Sequence, residues 1–150
     1  MKKAEPAKVI VAVMILITAV VAVFYLTGRT GVPEGALRIE YGGRALELPL
    51  EQLELTAVRG TVVNGKGEER TVDARGILLD QVLRKAGITD FSEVIVTADD
   101  EYSARVTAQE AAETDKVYLI RQDEGGMQLI VFGDGDSRRN VSDAVRLTVR

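Results

Sequence analysis

The 150-residue chain has no cysteine and no histidine. Without a thiol there are no disulfides, no thiolate zinc site and no cysteine nucleophile. Without an imidazole, the usual histidine-based triads are excluded, and so is haem held by histidine or cysteine. An oxidising compartment is therefore tolerated without being exploited. There is also no excess of positive charge. The formal net charge is −4, and since three lysines and one glutamate precede residue 29, the remainder carries about −6. Such a surface repels nucleic acid and anionic lipid, so nucleic acid is not an expected partner. Internal repeats, heptads and low-complexity segments are absent as well.

What is present begins with "VIVAVMILITAVVAVFYLT", residues 9–27, a run without a charge. As a helix it would extend about 28 Å, close to the ~30 Å hydrocarbon core of a bilayer. Lys2, Lys3 and Lys8 precede it and Arg29 follows closely. The positive-inside rule then predicts a cytoplasmic tail over 1–8 and a single-pass anchor over 9–27, with the rest of the chain outside the cell membrane. A cleaved secretory signal is the competing expectation. Signal h-regions are shorter, however, and end in small residues, whereas this run ends in Phe24, Tyr25 and Leu26.

A short polar linker over 28–36, "GRTGVPEG" with Ala36, leads into a domain over 37–150. "ALRIEYGGRALELPL" predicts a hairpin across Gly42-Gly43, closed by Pro49. "LEQLEL" suits one helical turn, and "TAVRGTVVNGKGEERTVDA" suggests two strands around a turn at residues 64–67. In "ARGILLDQVLRKAGI", residues 74–88, the apolar stripe Leu78, Leu79, Val82, Leu83 and Ala86 predicts an amphipathic helix. Asp80 and the pair Arg84 and Lys85 match its dipole, and Gly87 suits its C-terminal cap. "SEVIVTA" and "YSARVTA" form a strand pair around an acidic turn. Thr107 and Glu110 have capping-box spacing. "KVYLIRQ" and "MQLIVFG" flank the turn "DEGG", and "AVRLTVR" supplies a final strand. The expected fold class is α+β, a transmembrane helix followed by a β-rich domain with a few short helices.

The order of these pieces resembles the molybdopterin-binding domain of the sulfite-oxidase family. The matching motifs are "LPLEQL", "RGILLDQVLRKAGI", "VIVTADDEYSARVTAQEA" and "GGMQLIVFGDGDSRRNVSDAVRLTV", together covering about residues 37–150. The family shows a "GV-L-DLL-AG" helix, a "DGYS" hairpin and a "PLRLVVPG…VK-I-I-V" ending. Family members bind molybdenum through a cysteine on the strand before the helix. The corresponding "VRGTVVN", residues 58–64, has none, and Glu101 stands at the glycine of the family's "DGY". No metal ligand set is therefore expected from the chain.

The most site-like segment is "GDGDSRRN", residues 133–140. Its glycines allow close backbone approach, and its two arginines supply bidentate donors for an anion. The resemblance implies that Arg138, Arg139 and Asn140 would hold the phosphate tail of a molybdopterin. The bland alternative is a solvated turn whose arginines are neutralised by Asp134 and Asp136. Those two aspartates also invite a calcium reading, against which the following arginines count. Asn140-Val141-Ser142 is formally a glycosylation sequon. Asp99, Asp100 and Glu101 could be paired acids or simply a charged turn, and Tyr102 a stacking platform or a strand residue.

Two function classes result. The first is a membrane-anchored extracytoplasmic binding or accessory domain without molybdenum catalysis, with no cofactor of its own. It would dock a protein partner at the outer membrane face or hold a small anionic ligand. The second is a reduced molybdopterin-dependent oxidoreductase that binds its pterin non-covalently or with a partner subunit.

Overall fold

The computed structural model describes the backbone of residues 6–28, 35–135 and 137–150, and their side chains except those of 6, 20–28 and 137. The chain divides into two compact units, Met1–Gly31 and Val32–Arg150.

The first unit contains one helix, α1, Pro6–Gly28. Its described side chains, 7–19, are exposed. Among the described residues, no helix is long and apolar enough to cross a membrane. This corrects the expected anchor over 9–27, and with it the single-pass topology that put the tail over 1–8 in the cytoplasm and the domain outside. Residues 1–5 of that tail and 29–34 of the linker over 28–36 lie outside the described residues.

The second unit is β-rich. The strands are β1 Ala36–Tyr41, β2 Arg44–Pro49, β3 Thr56–Val63, β4 Glu69–Leu78, β5 Glu93–Ala98, β6 Ser103–Thr107, β7 Val117–Arg121, β8 Met127–Val131 and β9 Val141–Val149. They form one nine-stranded sheet in the order β2-β1-β9-β8-β7-β4-β3, with β5 joined to β9 and β6 to β5. Every pairing is antiparallel except that of β1 with β9. Strand β9 is the hub, since β8 pairs with its first residues, β1 with its last and β5 with its second half. The alternation in "AVRLTVR" survives in its second half, where Leu147 and Val149 are buried, while Ala144, on the other side of a register shift, is buried out of phase with them.

The expected fold class, α+β with a transmembrane helix before a β-rich domain, is corrected with the anchor: the second unit is a β-rich sheet with short helices, and among the described residues no helix is long and apolar enough to cross a membrane. The short helices are α2, Leu79–Lys85, and α3, Ala108–Ala112, joined by single 3-10 turns at Leu50–Gln52 and Ser137–Arg139. The helix expected over 74–88 occupies only its middle. Residues 74–78 belong to β4, where Gly76 lies against β7: a Cβ there would stand 2.7 Å from the carbonyl oxygen of Leu119. The helical spacing of Leu79, Val82 and Leu83 is real and buries all three. Leu78 ends the strand as the residue that caps the helix. Lys85 Nζ donates to the carbonyl of Gln52, tying α2 to the first 3-10 turn.

Two apolar clusters hold the unit together. The larger joins β1, β2, β5–β9, α2 and α3 around side chains such as Leu83, Leu119, Leu129 and Leu147. The smaller contains Val58, Val62, Val72, Ile120 and Ile130, with Tyr118 and Phe132 packed against it. Strands β7 and β8 feed both, because alternate residues point to opposite faces. Val117 and Leu119 face the larger cluster, while Tyr118 and Ile120 face the smaller one.

Candidate functional site

The loop after β8 carries the three residues expected to hold an anion. Arg139, at the end of the second 3-10 turn, is half-buried and points back at α3. Its Nη2 and Nη1 donate to the two carboxylate oxygens of Glu110 at 2.7 and 3.0 Å. Its Nε donates to Asp134 Oδ2 at 2.6 Å, and Nη1 also reaches the carbonyl of Arg105 at 3.2 Å. The fork geometry that suits guanidinium for phosphate is here spent on two carboxylates of the same chain. Hydrogen bonding from Arg139 holds Glu110 down at about pKa 2, and the Glu110 hydrogen bond raises Arg139 further above its already high value.

Local sequence explains why Glu110 is in place. Thr107 and Glu110 form a reciprocal capping box: the Glu110 amide donates to Thr107 Oγ1 at 3.2 Å, and the Thr107 amide donates to Glu110 Oε2 at 3.0 Å. The same carboxylate thus caps α3 and receives Arg139. Arg138 is exposed, and its carbonyl accepts the hydroxyl of Tyr102. Asn140 is half-buried, with Oδ1 accepting the amide of Val131 at 3.5 Å. These residues close a loop onto the sheet. They do not fit a pterin phosphate, because binding one would require Arg139 to leave two carboxylates for it. Asp136, part of both the neutralisation and the calcium expectations, lies outside the described residues; Asp134 accepts from Arg139.

The acidic turn over 99–101 joins β5 to β6. Asp100 Oδ1 accepts the amide of Tyr102 at 3.0 Å, and Glu101 pairs with Arg146 at 3.1 Å. Glu101 adopts φ 69, a left-handed backbone at the very position where the family's turn has glycine. Among the described residues, no group of three acidic side chains is arranged to hold a metal ion.

A different place has the shape of a binding surface. Strand β9 is bulged twice near its start. Opposite β5 the register slips between Thr97 and Ala98, and opposite β8 between Met127 and Leu129, both next to Ala144. Asp143, within the slip opposite β8, takes φ 52, and its amide donates to Gln122 Oε1 at 3.0 Å. Bulges splay a sheet locally, and here they open a groove of about 780 Å³ whose charged lining is Glu51, Asp99, Glu124 and Asp143 against Arg121. A smaller recess of about 280 Å³ shares Asp99 and Asp143 and adds Tyr102 and Asn140. Sequence reasoning missed this groove. Glu51, Arg121 and Asp143 come from three distant segments, and nothing in their neighbourhoods announces a bulge. The glycine pair of the "DEGG" turn was the only local signal.

No protein-family profile matches the chain, and no curated protein matches it. The resemblance to the molybdopterin-binding domain of the sulfite-oxidase family therefore finds no support in these comparisons.

Proposed function

We propose that Val32–Arg150 is a non-catalytic binding or accessory module, as the missing thiol on the strand at 58–64 first suggested. The carrying observation is the charge of the groove beside β9, whose charged lining among the described residues is Glu51, Asp99, Glu124 and Asp143 against Arg121. Such a surface selects for a positively charged group on a partner and against the small anionic ligand that the arginine loop had suggested. The basic loop contributes little to anion binding, since Arg139 is shared between Glu110 and Asp134. Its task is recognition.

The test joins metal analysis to a titration. Purified protein is expected to contain no stoichiometric molybdenum. An oligolysine probe is expected to bind saturably, weaken as salt rises, and lose most of its affinity on Glu51→Lys combined with Glu124→Lys. Stoichiometric molybdenum with pterin, or inorganic phosphate shifting the amide resonances of Arg138, Arg139 and Asn140 while oligolysine shifts none, would overturn the proposal in favour of the oxidoreductase.

A further inference from the structure

Strand β3 ends the sheet. Along Thr56–Val63 it pairs with β4, and among the described residues nothing pairs with its other edge. In an antiparallel ladder, alternate residues direct both N–H and C=O away from the partner strand. Every second residue of this eight-residue strand therefore offers a donor and an acceptor to whatever lies alongside. Proteins usually blunt such an edge with proline, lysine or a very short strand. Strand β3 has none of these. Its one charge, Arg59, is tied across the hairpin to Asp73 at 2.6 Å, which also raises the Arg59 pKa.

A trough of about 430 Å³ runs beside residues 57–61, and its far wall is Asp115, Tyr118 and Phe132. The two rings meet edge to face at 5.7 Å. Asp115 is exposed and accepts the Tyr118 hydroxyl at 2.7 Å, with lone pairs to spare. The strand edge specifies extended backbone as its complement. The trough specifies one side chain of that backbone, with an aliphatic stem to lie on the rings and a cation to reach the carboxylate.

We propose that the β3 edge receives an extended strand from another polypeptide, with a lysine or arginine of that strand seated between Phe132, Tyr118 and Asp115. Ladder hydrogen bonds supply affinity and the basic side chain supplies register and selectivity. A second copy of β3 is a poorer occupant. Its one cation, Arg59, borders the trough but is already tied to Asp73, so a second copy has no uncommitted cation to offer Asp115. This surface is separate from the acidic groove and does not depend on it.

A labelled peptide Thr-Val-Lys-Val-Thr, followed by fluorescence anisotropy and by amide chemical shifts of the full chain, tests the proposal. Saturable binding is expected, with shifts concentrated in residues 56–63. N-methylation of alternate peptide amides should weaken it roughly tenfold or more, since each methyl removes a ladder donor. Replacing the peptide lysine by glutamate, or Asp115→Asn in the protein, should weaken it several-fold. Asparagine tolerates the left-handed φ 53 of Asp115, so that variant keeps the fold. The proposal is overturned if folded protein shows no saturable binding, if N-methylation changes nothing, or if the shifts follow β2 instead. Concentration-dependent self-association through β3 that the peptide cannot displace would also overturn it, by assigning the edge to a second copy.

Discussion

The two apolar clusters share strands β7 and β8 yet are closed in different ways. The larger is enclosed by strands and by two helices, with Leu83, Leu119, Leu129 and Leu147 fully buried. At its rim the Arg139 guanidinium fastens the loop after β8 to the start of α3. The smaller is covered chiefly by the β3–β4 hairpin, and its aromatic margin, Tyr118 and Phe132, borders an open trough. Tyr118 remains half-buried, and burial together with Asp115 pushes its hydroxyl up to about pKa 12. The larger cluster is reinforced by ion pairs and borders the acidic groove through Met127 and Ala144. The smaller ends in an aromatic trough beside the β3 edge. An unpaired edge beside an apolar trough leaves hydrogen-bonding capacity for a partner.

Three substitutions would break or sharpen that contrast. The largest effect is expected at Leu147, on the hub strand, where truncation leaves a cavity among side chains with no room to collapse. Leu147→Ala should cost about 3 kcal/mol in denaturant unfolding. A cost below about 1 kcal/mol would show that this core is looser than its burial implies.

Gly60→Ala probes the smaller cluster. Its new Cβ would stand 2.5 Å from the Phe132 ring, so the ring must swing toward the trough. The expected cost is about 1–2 kcal/mol. Combining it with Phe132→Leu should cost less than the two changes summed, because the leucine relieves the clash. Strict additivity would show that Gly60 and Phe132 do not touch.

The smallest effect concerns the latch. Glu110→Gln should cost about 1 kcal/mol near pH ~7, since the pair is partly solvated. Its pH dependence has a definite sign. Arg139 lowers the Glu110 pKa from 4.5 to about 2 in the folded state. The carboxylate's contribution is therefore fully present above about pH 4.5, and it is lost as pH falls through about 2. Unfolding curves of the parent and the Glu110→Gln variant, measured from neutral to acid pH, should converge over that window. Curves that stay parallel would assign the latch no role in acid stability.

Much of the sheet was legible from local chemistry. The Gly42-Gly43 hairpin, the Pro49 strand end, the capping box at Thr107 and Glu110, and the alternation of β9 all depend on neighbours within a few residues, where propensity and spacing act directly. The helix over 74–88 was legible only in its second half. The "ARGIL" that opens it is apolar at helical spacing too, but Gly76 is claimed by backbone contact with β7, some forty residues away, and tertiary contact overrode the local signal. At the arginine loop, residue types alone made Arg138, Arg139 and Asn140 an anion cradle. Arg139 meets Glu110 across twenty-nine positions of sequence, and no spacing rule forecasts that pairing. Expectation fails most widely at residues 9–27, since among the described residues no helix is long and apolar enough to cross a membrane.

By itself the sequence determined which chemistries are closed to this protein, because side chains that are absent cannot be supplied by folding. It also determined where most strands begin and end, since turns and alternation are local properties of the chain. The tertiary structure alone decided which arginine is spent on carboxylates, where β9 bulges to open a groove, and which strand is left with a free edge. Those outcomes depend on residues that meet only after the sheet is assembled, so their causes lie in distances across space and leave no trace in neighbouring letters.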